Sequence, residues 1–163
     1  MTLTAEDGHN SVGKGRLAEA KVVAELVTQG VEVYLPTFGN GACDLVALCD
    51  GVLLRVETKY SATVRGGGYV VSLRQVRANR SHMLVKHFTA ANSDVLAVYV
   101  GPADRVAFLP SARLDGRNSL TLREVHLAEY GGFRSALTSA LPRYDSEGTL
   151  PAEHLVPKTS GGQ

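Results

Sequence analysis

The chain has 163 residues, with 17 Lys and Arg against 16 Asp and Glu, a formal net charge of +1. That length suits one domain with its own core, and the near-neutral balance carries no bulk signature of a nucleic-acid binder. No apolar run reaches the length of a membrane span, and the opening MTLTAEDGHN lacks the apolar segment of a secretory signal. A soluble, intracellular, cytoplasmic protein with no membrane partner is expected.

Residues 1–11 read as a flexible N-terminus, 12–142 as the folded domain, and the Pro-, Gly- and Ser-rich stretch 143–163 as a disordered tail. Ser11 is a plausible N-cap for the helix VGKGRLAEAKVVAELVTQG, whose apolar stripe is Leu17, Ala20, Val23, Ala24 and Val27, with Gly30 as the stop. Glu19 lies at the border of that stripe and Glu25 on the opposite side. VEVYLP is a short strand, followed by the loop TFGNGA. CDLVALC and VLLRVETK are apolar runs joined by Asp50-Gly51, the pattern of a two-residue type I′ hairpin.

Cys43 and Cys49 fall on one strand and one face, too far apart to bridge, as small buried residues in a reduced compartment. ATVRGGG is a turn, YVVSL a strand, and RQVRANRSHMLVKHFTAAN a basic, partly helical connection. DVLAVYV and RVAFLP are strands, SLTLREVHL is a candidate for one more, and GFRSALTSALP is a short amphipathic helix. The order predicts an α/β fold with a mixed β-sheet flanked by helices.

The two-residue turn fixes the hairpin register, pairing Cys49 with Val52 and each residue outward in step. Asp44 then falls opposite Glu57, on one face with Val46, Leu48, Leu53, Arg55 and Lys59. The other face, Leu45, Ala47, Cys49, Val52, Leu54, Val56 and Thr58, is a core face. Opposed carboxylates destabilise a structural hairpin, whereas a divalent cation between them reverses the sign of the effect. Mg2+ suits such a site, using one or two carboxylates with waters and substrate phosphate. Lys59 points the same way and is placed to hold a water or neutralise phosphate charge, and Glu19 is a further carboxylate. The competing reading is a solvated strand end with a Glu–Lys pair.

Charge is also unevenly spread. From Arg55 to Lys86 there are seven basic residues, Arg55, Lys59, Arg65, Arg74, Arg77, Arg80 and Lys86, and one acid, Glu57. This points to an anionic partner met by one surface. Arg74, Arg77 and Arg80 recur every third residue, a basic stripe if helical. Gln75 and Asn79 are weaker candidates for reading adenine edges. RGGGY is a flexible hairpin or a phosphate nest. The five histidines show no metal-ligand spacing; His82 and His87 read as surface residues, and Tyr60 as a strand-end aromatic.

The ordered set Glu19, Asp44, Glu57 and Lys59 resembles the PD-(D/E)xK nuclease superfamily. Its site combines an acid on the first helix, an acid on one core strand and E-x-K on the next. GKGRLAEAKVVAELVTQG is similar to the first helix of archaeal Holliday junction resolvases and of group I intron-encoded homing endonucleases of this fold. SDVLAVYVGPADRVAFLPSARL is more like the latter. The resemblance spans about residues 12 to 123, and departs from the family pattern in having Cys43, not proline, before Asp44.

It implies a restriction-endonuclease-like core and Mg2+-dependent hydrolysis of DNA phosphodiesters, with Mn2+ as a substitute ion. Asp44, Glu57 and the Thr58 carbonyl would ligate the metal, Lys59 would position water, and Glu19 would bind a second metal or a metal-bound water. Arg55, Arg65, Arg74, Arg77, Arg80 and Lys86 would contact DNA. A homing or restriction-type enzyme is expected first. A junction resolvase or a non-catalytic DNA-binding module of the same fold are the alternatives. Cutting two strands needs two sites, hence a homodimer or higher homo-oligomer.

Overall fold

The structure, a computed structural model, describes residues 11–38, 41–78, 83–86 and 88–140, with 75–78, 83–86 and a few helix-end positions described by backbone alone. The expected N-terminal arm up to residue 10 and the tail 143–163 lie outside the described residues. The elements are α1 (Ser11–Thr28), β1 (Glu32–Tyr34), β2 (Leu45–Cys49), β3 (Val52–Ser61), β4 (Thr63–Arg65), β5 (Gly68–Ser72) and β6 (Gln75–Ala78). They continue with β7 (Met83–Lys86), β8 (Val95–Val100), β9 (Arg105–Pro110), β10 (Ser119–Leu122), α2 (Glu124–Glu129) and α3 (Phe133–Ala140).

A five-stranded sheet in the order β1-β2-β3-β8-β9 forms the centre. Only β3 and β8 are parallel, which requires the long crossover that β4 to β7 supply. On one face Ala18, Val22 and Leu26 of α1 and Phe133 and Ala136 of α3 pack on Leu45, Ala47, Leu54, Val56, Val95 and Ala97. On the other, Val71 of β5, Leu120 and Leu122 of β10 and Leu127 of α2 cover Leu96, Val98 and Ala107. The fold is the expected mixed α/β sheet between helices, with the second face covered by the three-stranded sheet β10-β5-β4 as well as by α2.

The stop of α1 is as expected. Gly30 has φ 72°, the Val31 amide donates to Leu26 O at 3.0 Å and the Gly30 amide to Val27 O at 3.0 Å. These are the two bonds of a Schellman cap, and Val31 and Leu26 bury their side chains together in the core. The buried face of α1 differs from expectation. Leu17 and Val27 are 41% and 60% exposed, and Ala20 and Ala24 face outward with them. The helix carries two apolar stripes of equal periodicity, and the sheet takes the one formed by Ala18, Val22 and Leu26. Glu19 and Glu25 flank that stripe on opposite sides, so Glu25 is half-buried and hydrogen-bonded to Gln29 at 2.8 Å.

The basic connection is also corrected. Gln75–Ala78 and Met83–Lys86 are an antiparallel pair, with Val76 opposite Val85, and not a helix. The alternation Gln-Val-Arg-Ala prevails over the three-residue spacing of the arginines. Gly66 and Gly67, at φ 57° and 71°, make RGGG the turn between β4 and β5. SLTL is the strand β10, and the following residues form α2.

Candidate active site

Asp50 and Gly51 have φ 51° and 81°, the two left-handed residues of a type I′ turn. The ladder runs in the expected register from Cys49–Val52 to Leu45–Val56. Leu45, Ala47, Cys49, Leu54 and Val56 are buried beneath α1, as the alternation requires.

At Asp44 the ladder ends. Residues 42–44 bend, which also takes Cys43 off the strand that Cys49 occupies. The Asp44 amide donates to Val56 O at 3.1 Å. Its Oδ2 accepts the Thr58 amide at 2.6 Å and the Thr58 hydroxyl at 2.8 Å. Asp44 therefore does not stand squarely opposite Glu57 on a shared face. Past the end of β2 the Thr58 N–H has no strand carbonyl to meet, a buried amide must be paired, and the carboxylate takes that place. In a strand a residue's N–H and C=O point to the same side, so the Thr58 carbonyl opens toward the same gap.

Glu57 is 7% exposed, and Lys59 Nζ pairs with its Oε1 at 2.7 Å. The two alternate with Thr58 and align with Leu96 and Val98 of β8, which belong to the second core. Glu19 reaches the site from α1. It lines a cavity of about 90 Å3 with Pro36, Gly41, Cys43 and Asp44. Partial desolvation of an otherwise exposed side chain, then the negative charge of Asp44, raises the Glu19 carboxyl above its ordinary pKa, with Arg16 opposing. Partial burial and the same Asp44 charge raise the Cys43 thiol above its ordinary value. Asp44 thus stands between Glu19 on one side and Thr58 on the other, with the Glu57–Lys59 pair flanking Thr58 along β3.

Among the described residues, no three or more His, Cys, Asp or Glu are gathered closely enough to hold a metal ion, so the expected three-carboxylate cluster is not formed. Glu19 and Asp44 share one cavity, Thr58 is bonded to Asp44, and Glu57 is the neighbour of Thr58 along β3; all of these offer oxygen donors. Glu19 and Asp44 are like charges facing one small cavity. That chemistry fits a hard cation held by one or two carboxylates with waters and phosphate oxygens.

The basic residues separate. Arg55 is taken by an intramolecular clamp. Its guanidinium binds both Asp94 oxygens, at 3.1 and 2.9 Å, and Ala91 O at 2.7 Å, while its amide donates to Asp94 at 2.8 Å. Burial alone would raise the Asp94 carboxyl, but its bonds to Arg55 and the guanidinium charge hold it below the ordinary value. The clamp fixes the entry of β8 against β3. The basic-surface reading missed it because Asp94 lies 39 residues away.

Arg65, in β4, and Arg74, just before β6, are exposed. Arg77 lies in β6 and Lys86 in β7, both described by backbone alone, as is Gln75 in β6. Arg80, Asn79, His82 and His87 lie outside the described residues. Tyr60 is half-buried against Tyr99, centroids 5.7 Å apart, with the Lys14 ammonium 6.0 Å from its ring.

The family model of the PD-(D/E)XK endonuclease matches residues 9–131. Among solved structures, the bacterial homing endonuclease I-Ssp6803I superimposes with a TM-score of 0.63 at 23% identity, over 90% of this chain and 92% of that one. At that identity the likeness speaks for the fold. No curated protein matches the chain. Since the family model takes in most of the sequence, including Glu19, Asp44, Glu57 and Lys59, the chain belongs to the PD-(D/E)XK endonuclease family.

Proposed function

We propose that the chain is a Mg2+-dependent DNA endonuclease of the homing or restriction type, and that Glu19, Asp44, Glu57, Thr58 and Lys59 are its site. The observation that carries this is the position of Asp44, between the Glu19 carboxylate in one cavity and Thr58, whose strand neighbours are the paired Glu57 and Lys59. Asp44, Glu57 and the Thr58 carbonyl would hold the ion, with Glu19 as a further ligand or the acceptor of a bound water. When bound, such an ion lowers the pKa of the attacking water and offsets charge on the phosphate.

The chain's own residues do the rest. Thr58 fixes the Asp44 carboxylate through two hydrogen bonds. Glu57 aims the Lys59 ammonium, which holds a water in line with phosphorus. The water would give up a proton to solvent as its oxygen bonds to phosphorus, the ester P–O bond would break, and the leaving oxygen would take up a proton from a solvent water. Arg65, Arg74, Arg77, Arg80 and Lys86 would meet flanking phosphates, and two strand cuts would require a homodimer or larger assembly.

The test is incubation with Mg2+ and a panel of supercoiled plasmid, linear duplex, single strand and four-way junction. Cutting at a defined plasmid site is expected. Junction-only cutting would make the chain a resolvase, and binding without cutting a non-catalytic module.

A further inference from the structure

Three apolar side chains stand exposed within five residues of sequence beside this polar cleft. Phe38 is 83% exposed, Leu35 64%, and Tyr34 47%. Single exposed apolar residues are ordinary, but a cluster at the edge of a site marks a contact surface. Pro36 and Gly41 both line the Glu19–Asp44 cavity, and a Cβ at Gly41 would lie 3.7 Å from Pro36 Cβ. Positions 36 and 41 therefore meet at the cavity rim. Phe38, two residues beyond Pro36, has its Cα within about 7 Å of the Pro36 Cα.

We propose that Phe38, with Leu35 near it in sequence, is an apolar wedge that stacks on an unstacked base of the bound DNA beside the phosphate that an ion at Asp44 would hold. This rests on the endonuclease reading and adds to it a base contact that Glu19, Asp44, Glu57 and Lys59 do not supply. DNA is the occupant because Phe38 follows two residues after Pro36, which lines the cavity where the proposed reaction takes place. Phe and Leu wedges part base steps and bend the duplex, and pyrimidine–purine steps part most easily. Cleavage is therefore expected beside TA or CA steps.

The chain contains no tryptophan, so Phe38→Trp places a single indole fluorophore at the wedge. Binding is measured with Ca2+ in place of Mg2+, another hard cation that takes oxygen ligands, to a short duplex spanning the position that the wild-type chain cuts, with 2-aminopurine beside the cut. Phe38→Ala should weaken binding about 5- to 150-fold, the range of one aromatic–base stack, without changing the salt dependence. It should also abolish the rise in 2-aminopurine emission, and the indole emission of Phe38→Trp should change on adding duplex. Phe38→Ala binding within about twofold of wild type, with wild type cutting normally, overturns the wedge alone. So does indole emission from Phe38→Trp that follows protein concentration and ignores DNA, the mark of an interface between copies. A wild-type chain that neither binds nor cuts any DNA overturns the endonuclease reading and the wedge with it.

Discussion

Replacing Asp44 tests the fold and the site with one side chain. Its Oδ2 is the acceptor for the Thr58 amide and hydroxyl, and Thr58 is 8% exposed. Asp44→Ala leaves a buried amide without its acceptor, a loss of about 1–3 kcal/mol, and removes a hydroxyl bond worth roughly 0.5–1.5 kcal/mol. Relief of the repulsion with Glu19 acts in the opposite direction, but Glu19 is exposed and solvent screens it. The net loss is roughly 2–4 kcal/mol, and at about 2–4 °C per kcal/mol for a chain near this size it lowers Tm by roughly 5–15 °C.

Asp44→Asn retains an oxygen for the Thr58 amide, so it should melt only a few degrees below wild type while losing Mg2+-dependent cleavage. Thr58→Val removes only the hydroxyl bond and should cost about 1 kcal/mol. Circular-dichroism melts and urea titrations without metal measure the first effect, and a Mg2+ cleavage time course the second. An Asp44→Ala protein melting within about 2 °C of wild type would refute the Thr58 bridge, and an Asp44→Asn protein that cuts normally would remove Asp44 from the chemistry.

Lys59→Ala removes the ammonium paired with the buried Glu57 carboxylate, so it should lower stability, read as a lower urea midpoint. Cleavage should fall by orders of magnitude while gel-shift binding stays near wild type. Asp94→Ala breaks the Arg55 clamp, a loss of roughly 1–3 kcal/mol after allowing for partial exposure. Because the Asp94 carboxyl is held below its ordinary 3.8, its contribution is full above that value and lost as pH falls through the folded-state pKa. Urea titrations at neutral and acid pH should therefore show the gap to wild type closing on acidification, and a gap that widens would reverse the assignment. Gly101→Ala would press a methyl group onto the Tyr60 hydroxyl first and onto Cζ at 2.9 Å, and should cost about 1–3 kcal/mol, read as a lowered urea midpoint. Glu19→Gln removes a carboxyl that burial and Asp44 keep above its ordinary pKa. A raised folded pKa means a stability penalty at pH above it, so this variant should melt slightly higher than wild type without metal and gain less from added Mg2+.

The hairpin was legible because its determinants are local. Asp50-Gly51 needs two left-handed residues, that turn fixes the register, and the register fixes which side chains face α1. What Asp44 does with its carboxylate was not legible. The ladder pattern extends only as far as the strands, and the direction of a side chain at the fraying end is set by the nearest unsatisfied group, here the Thr58 amide. The same limit applies to α1, where two apolar stripes have one periodicity and only the sheet decides between them. Glu19 kept its place beside Asp44 because it borders both stripes. Arg55 looked like a surface cation because it opens the stretch to Lys86 that holds seven basic residues and one acid, whereas its partner Asp94 arrives through the parallel pairing of β3 with β8. A short-range pattern fixes which residues stand at the end of β2 and β3, but the pairing of charges there depends on a helix, a crossover strand and a loop from elsewhere in the chain. That is why E-x-K alone is weakly diagnostic, and why the position of Asp44 between Glu19 and Thr58 carries the functional reading.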